Sequence, residues 1–555
     1  MHSLRLDSAP TTNSHRVKFF ELREAGLVLF GLVLPIVLVL LPVFSTRFVL
    51  FDDQHDINLY SRMATTSFPQ SLWLSIRTDF VGNGRIRPVY FAIRHILMAV
   101  FGSNPYTLHA VMAALGLLTA LLLYESFRFL GLGVVAAIVS THLVVLAPYA
   151  SSVWIELGPA ESWATVFLTI SLFAMVRAAY QKQPTHWDIV LITGVFLASL
   201  CKETFILTLP ALAWGRVALW AKVHGQTLSA AWRIHRRLLF FLLVLLGFLL
   251  VASYLVILWG GYFGGKITTA GMATPYLLLR GIWREIVAST SLTILPGYGL
   301  VVFVVAVLAF AYWRAGAGSV RWLIWGGIFV ALGVLPQVAI YATRTGFGRG
   351  RYWYPALIFG GIANALCLLW LQNYWRQAIY FVCLLWLALY GIVLGGIRAN
   401  DYARSLQAQS DAAHQMITYL GNHIPSNAAL GIVARPMDWE AITSVQTLLK
   451  NAGHADISYY LILVQPESSY SAYEQSLFED LTARYPRGVT TISPDSIDAL
   501  VLFQDPNGVP ERYAPWITQS RFVPRSFMAE PRDLSLGDWS MAPSTTARYR
   551  ILIAE

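Results

Sequence analysis

Charge is what this sequence has least of. Only 13% of its 555 residues are charged, against 56% hydrophobic, and no soluble enzyme of ordinary composition is that apolar. Cysteine is nearly absent. Cys201, Cys367 and Cys383 all lie in apolar runs, which excludes a disulfide framework or a thiolate zinc site. Residues 401–555 hold no glycine-rich phosphate loop and no nucleophile motif, and the chain has no internal repeat, no Asn-x-Ser/Thr sequon and no basic tract with interleaved aromatics, so nucleic-acid chemistry has no footing.

What is present is a series of long apolar runs. The first, Ala25 to Phe44, is long enough to span a bilayer and lacks a small-residue cleavage signal, so it reads as a retained span. Further runs fall at Thr107 to Phe129, Gly131 to Ala150, Ser162 to Tyr180, Ile189 to Cys201, Thr204 to Trp220, Leu238 to Gly260, Leu292 to Trp313, Trp322 to Ala342, Trp353 to Leu371 and Ala378 to Ile397. The expectation is a mainly α, polytopic transmembrane helical bundle of about 11 spans over residues 1–400.

Residues 401–555 differ. They hold 11 Lys+Arg against 17 Asp+Glu, net −6, and leave 29 against 13, net +16, to the membrane part. The basic excess of the bundle suits anionic headgroups or phosphates. In the tail, Ala429 to Ala434, Ile457 to Val464 and Ala499 to Phe503 read as strands, and Trp439 to Asn451 and Tyr470 to Tyr485 as amphipathic helices, giving a C-terminal α/β domain. Arg16, Lys18 and Arg23 before the first span, and Arg216, Lys222, Arg233, Arg236 and Arg237 in the densest basic linker, place the N-terminus in the cytoplasm. With an odd number of spans, the tail domain is extracytoplasmic. That count depends on reading the runs around Cys201 as two helices, since a single helix there would return the tail to the cytoplasm.

Between residues 41 and 400 only ten carboxylates occur, and in this topology all but Glu125 and Asp188 lie outside or near the outer boundary. Carboxylates at membrane depth are costly and mark functional positions. Phe51-Asp52-Asp53-Gln54-His55-Asp56 is the sharpest cluster. Adjacent carboxylates raise the proton affinity of one of them, which suits Asp52 or Asp53 to take a proton from a hydroxyl. The bland alternative is a hydrated loop with helix-capping aspartates. His55 beside them could hold a divalent metal, although one histidine with a few carboxylates is a common coincidence; no cofactor is called for. Arg77, Arg85, Arg87 and Arg94 in the first outer loop, Arg280 and Arg284 in another, and Arg344, Arg349 and Arg351 in a third sit where the orientation rule disfavours them. Each could grip a phosphate or a lipid headgroup.

Arg85-Ile86-Arg87-Pro88-Val89-Tyr90-Phe91, followed by Phe101-Gly102-Ser103-Asn104-Pro105-Tyr106-Thr107-Leu108-His109, gives the aspartate cluster a context. The series resembles the first outer loop of the GT-C glycosyltransferases, in particular the O-mannosyltransferases that carry TPR repeats, the protein O-mannosyltransferases and their bacterial relatives. Gly158-Pro159-Ala160-Glu161-Ser162 stands where such proteins place a second acidic residue, with Glu where Asp is common. Cys201-Lys202-Glu203-Thr204 is similar to their Lys-Glu motif, and Arg349-Gly350-Arg351-Tyr352-Trp353-Tyr354-Pro355 to their Arg-Tyr-x-x-Pro segment. The resemblance covers roughly residues 25 to 215. TPR repeats are absent, and the α/β tail stands in their place.

The resemblance implies a glycosyltransferase in the plasma (inner) membrane that uses a polyprenyl-phosphate sugar donor and a glycan, lipid or protein acceptor. In that reading Asp52, Asp53 and Glu161 are catalytic, while Arg87, Lys202, Arg349 and Arg351 bind the donor phosphate. Glu203, His109 and His55 support them. Direct displacement would invert the anomeric centre. The rival readings are a transporter or flippase for a lipid-linked substrate, which repeated halves and midplane charges would favour, and a catalytically inactive structural protein of the same fold.

Overall fold

The computed structural model describes residues 22–50, 53–83, 85–147, 151–181, 184–259, 300–314, 320–342, 351, 354–375, 377–434, 439–463, 497–503, 522–528 and 548–554. Asp52, Arg280, Arg284, Glu285, Arg344, Arg349 and the helix expected at Tyr470 to Tyr485 lie outside these residues.

The apolar runs are helices. Eight among the described residues are long and apolar enough to cross a bilayer. In chain order the bundle begins with α1 (Glu24–Ser45), followed by α2 (Gln54–Thr65), α3 (Phe68–Asn83) and α4 (Pro88–Phe101) of the first loop. Then come α5 (Pro105–Phe129), α6 (Val134–Val145), α7 (Ser151–Ile155), α8 (Ala160–Ala179), α9 (Thr185–Cys201), α10 (Glu203–Val223), α11 (Leu228–Ile234) and α12 (Arg236–Trp259). The last four are α13 (Leu300–Arg314), α14 (Val320–Ala342), α15 (Tyr354–Tyr374) and α16 (Gln377–His423). Two of the expected spans, within α6 and α9, are shorter than the eight, and the described part of a third is α13.

Local chemistry sets the boundaries. α5 starts where the Asn104 side chain accepts the backbone N–H groups of Tyr106 and Thr107 at 3.0 and 3.4 Å, with Pro105 in the first helical position, where its missing N–H costs nothing. The turn before it needs Gly102, whose φ of +64° a side chain rarely adopts. The pair around Cys201 is two helices. Lys202 is extended between them (φ −146°, ψ 115°), and Asp188 near the start of α9 meets Arg216 near the end of α10 at 2.8 Å. That contact requires the chain to reverse at Lys202, because one continuous helix would hold the two residues about 40 Å apart.

The tail is an α/β unit. Strands β1 (Ala429–Ala434), β2 (Ser458–Leu463), β3 (Ala499–Leu502), β4 (Phe522–Met528) and β5 (Arg548–Ala554) form one sheet in the order β2-β1-β3-β5-β4. β1 runs parallel to β2 and β3, with helix α17 (Trp439–Asn451) as the β1 to β2 crossover; β5 is antiparallel to β3 and β4. Central β1 is buried from Leu430 to Ala434, as a covered parallel strand should be. The sheet packs on Ala412, Ala413, Met416, Ile417 and Leu420 of α16 and on Ile442, Val445 and Leu449 of α17, each set spaced for one helical face. No linker separates tail from bundle at residue 401, because α16 runs unbroken from Gln377 to His423.

Candidate functional site

The ion pairs sort to the two ends of the bundle. At one end lie Glu24 with Arg128 (2.9 Å) and Asp188 with Arg216 (2.8 Å), at the start of α1, the end of α5, the start of α9 and the end of α10. Every described residue singled out from the sequence as catalytic or phosphate-binding lies at the other end.

The first loop supplies half of this site. Asp53 occupies the N-cap position of α2, yet its Oδ2 reaches back to accept the Val49 N–H at 2.8 Å instead of capping the helix. One turn on, Asp56 accepts from Arg94 Nε at 2.8 Å, and both side chains are buried. Arg94 also donates to the Tyr90 hydroxyl, which in turn donates to the Gly158 carbonyl at 2.6 Å and so ties α4 to the turn before α8. Asp79 of α3 takes Arg87 in a two-pronged grip at 2.9 and 2.5 Å, the geometry a guanidinium uses for planar anions. Burial alone would pull the Arg87 guanidinium down, but Asp79 and the nearby Glu203 outweigh it and hold it above its ordinary value.

The other half comes from the helix breaks. Glu161, in the first turn of α8, pairs with Lys202 at 2.8 Å; the two residues are only 2% and 5% exposed. A pair so buried loses much of its Coulomb gain to desolvation, which makes it a poor choice for stability alone. Glu203, next in the chain, faces Arg85 at 3.8 Å. Arg351, just before α15, donates to Glu156 at 2.8 Å, and the other Glu156 oxygen takes the hydroxyl of Tyr402 from α16.

The reach of the sequence reading is thus mixed. Asp53, Glu161, Arg87, Lys202, Glu203 and Arg351 share this end of the bundle, with Asp52 and Arg349 outside the described residues. His55 is exposed on α2, and His109 is buried in α5. Each described cation expected to hold phosphate has a carboxylate beside it: Asp79 for Arg87, Glu161 for Lys202 and Glu156 for Arg351. Asp79, Glu156, Tyr90 and Tyr402 were not singled out as site residues. Asp79 and Glu156 were among the scarce carboxylates, whereas the tyrosines carry no local signal. Among the described residues, no group of three or more His, Cys, Asp or Glu is placed to hold a metal ion.

Comparison with known proteins adds a family. Residues 87–257 match the model of the dolichyl-phosphate-mannose-protein mannosyltransferases. None of the curated proteins matches. Among solved structures the chain is similar to ArnT from Cupriavidus metallidurans in the apo state, with 15% identity, 96% of this chain and 98% of that one covered, and a TM-score of 0.49. ArnT bound to undecaprenyl phosphate gives 14% identity, 95% and 98% coverage and a TM-score of 0.48. The archaeal oligosaccharyltransferase AglB from Archaeoglobus fulgidus, in complex with an inhibitory peptide and a dolichol-phosphate, gives 12% identity, 85% and 69% coverage and a TM-score of 0.40. The matched segment carries α4, Glu161, Lys202 and Glu203, so the similarity to that family falls on residues of this site, and the eight long apolar helices among the described residues are those of a multi-pass membrane protein.

Proposed function

We propose that the protein transfers a sugar from a polyprenyl-phosphate-linked donor to an acceptor hydroxyl on the extracytoplasmic side of the membrane, with inversion at the anomeric carbon. The N-terminus and the basic end with Arg216 and Lys222 face the cytoplasm, and the sheet domain sits outside.

The observation that carries this reading is the gathering of Arg87, Lys202 and Arg351, each beside a carboxylate, at the end of the bundle that also holds the Asp53 turn. A phosphate arriving there takes the place of a carboxylate on one or more of these cations, so the site is charged and oriented before the donor binds. Asp52 or Asp53 removes the proton of the acceptor hydroxyl. Lys202 and the arginines hold the phosphate as negative charge grows on the leaving group, and Glu161 keeps Lys202 in position.

The test is transfer from a lipid-linked sugar by purified Asp52→Asn, Asp53→Asn and doubly substituted protein, with the product anomer read by NMR. Loss of turnover in the double variant with donor binding retained supports the base assignment. Undiminished transfer removes it, and a product that keeps the donor's configuration removes direct displacement.

A further inference from the structure

Just before the Asp53 turn, two adjacent residues serve two different cores. Val49 and Leu50 are 5% and 1% exposed, but Val49 packs in the core of the bundle, while Leu50 packs with Ala412, Ala413 and Met416 of α16 and with Ile442 and Val445 of α17. The chain has left helical geometry by Thr46 (φ −76°, ψ 132°), so neighbouring side chains are free to face opposite ways.

The backbone of this segment is held from the tail's side. Ser444 of α17, fully buried, donates to the Leu50 carbonyl at 2.6 Å. Ser410 of α16, likewise buried, accepts the Arg47 N–H at 3.1 Å, and Gln407 of the same helix donates to the Ser45 hydroxyl at 2.8 Å. Beyond the turn, Asn58 of α2 meets Thr447 of α17 at 3.3 Å. Asp53 lies between these holds, its Oδ2 on the Val49 N–H. A backbone group out of water is costly to leave unpaired, so each serine fixes the path of the chain as well as covering it. The same rod reaches the phosphate side of the site, where Tyr402 of α16 gives its hydroxyl to Glu156, the partner of Arg351. At the usual rise per residue Tyr402 stands about 12 Å along the helix axis from Ser410.

We infer that the tail is a working part of the site: α16 and α17 fix the Asp53 turn at a set distance from the Glu156–Arg351 pair, with Ser444 and Ser410 as positioning residues. The inference rests on the proposed role of that turn as the base. A reacting group displaced by about 1 Å loses up to about a hundredfold in rate, and drift of this turn would leave the phosphate-binding cations where they are. The tail therefore acts on the chemical step and not on donor binding.

Ser444→Ala in the full-length protein in detergent tests this. The kcat for transfer from a lipid-linked sugar should fall at least about fivefold, the usual worth of one hydrogen bond, with KM for that donor unchanged. Hydrogen exchange read by mass spectrometry needs no activity: the peptide over residues 45–57 should exchange at least about fivefold faster, while peptides of α5 and β1 keep their wild-type rates. Ser410→Ala, which acts from the other helix, should repeat both results and keeps the test open where Ser444→Ala does not fold. Unchanged exchange over residues 45–57 overturns the inference, as does faster exchange with undiminished kcat or a loss carried by KM alone. The aspartate variants judge the base separately. Transfer lost in the Asp52→Asn, Asp53→Asn protein but kept in Ser444→Ala defeats this inference alone, whereas transfer kept in the aspartate variant defeats the base and this inference with it.

Discussion

The Glu161–Lys202 pair separates a structural role from a chemical one. Removing one partner strands the other charge, a loss of about 3–5 kcal/mol in protein interiors, whereas replacing both by apolar residues of similar size is often tolerated. Lys202→Met should therefore lower the melting temperature in detergent sharply, and the doubly substituted Glu161→Leu, Lys202→Met protein should recover much of it. Sugar transfer should stay lost in both, and restored transfer in the double variant would reduce the pair to packing. Arg87→Lys should lower transfer at least about tenfold, since an ammonium cannot reproduce the two-pronged geometry. His235 gives a pH prediction at the opposite end. Burial, with Arg216 adding to it, pulls its pKa from 6.5 to about 4, while Asp188 acts against them. The folded protein thus holds His235 neutral, and its stabilising share is complete above pH 6.5 and fades as pH falls toward 4. Melting temperatures measured from pH 7 to pH 5 should decline, with His235→Asn flattening the slope. At this scale the sequence exposed residue types more readily than partners. Asp56 and Arg94 stood out as charges in a loop, but their contact spans 38 residues, and that of Tyr402 with Glu156 spans 246.

Element boundaries obeyed local rules. Hydrophobic run length placed α5, an apolar strand run placed β1, and amphipathic spacing placed α17. Asn104→Ala should cost about 1 kcal/mol, read as a modest fall in melting temperature, because two N–H groups of the first turn lose their acceptor. The last two strands were not legible. Phe522–Met528 carries Pro524 and Arg525, and Arg548–Ala554 opens with two arginines, so neither shows clean alternation; pairing with each other and with β3 makes them strands. The reversal at Lys202 was legible as two runs, while its geometry needed the Asp188–Arg216 contact.

For the molecule as a whole, orientation is the quantity to measure. Cys201, Cys367 and Cys383 are all buried, so the native protein should be silent to a membrane-impermeant maleimide. Ser426→Cys, in the exposed turn before β1, should label in intact cells, and Gln226→Cys, in the exposed turn between α10 and α11, only after permeabilisation. The reverse pattern would invert the proposed topology. Charge asymmetry made the division into a basic bundle and an acidic tail readable, but how the two meet was not. Ser444 of α17 donates to the Leu50 carbonyl at 2.6 Å, and Asn58 of α2 bonds Thr447 at 3.3 Å, so the tail covers the loop that bears the aspartates.

The unbroken α16 makes that cover a matter of phase. Each residue advances a helix by about 100° of rotation and 1.5 Å. One alanine inserted after Gln409 would leave Tyr402 on Glu156 yet swing the whole sheet a quarter-turn off its seat, so the rod acts as a rigid crankshaft whose timing is set by residue count alone.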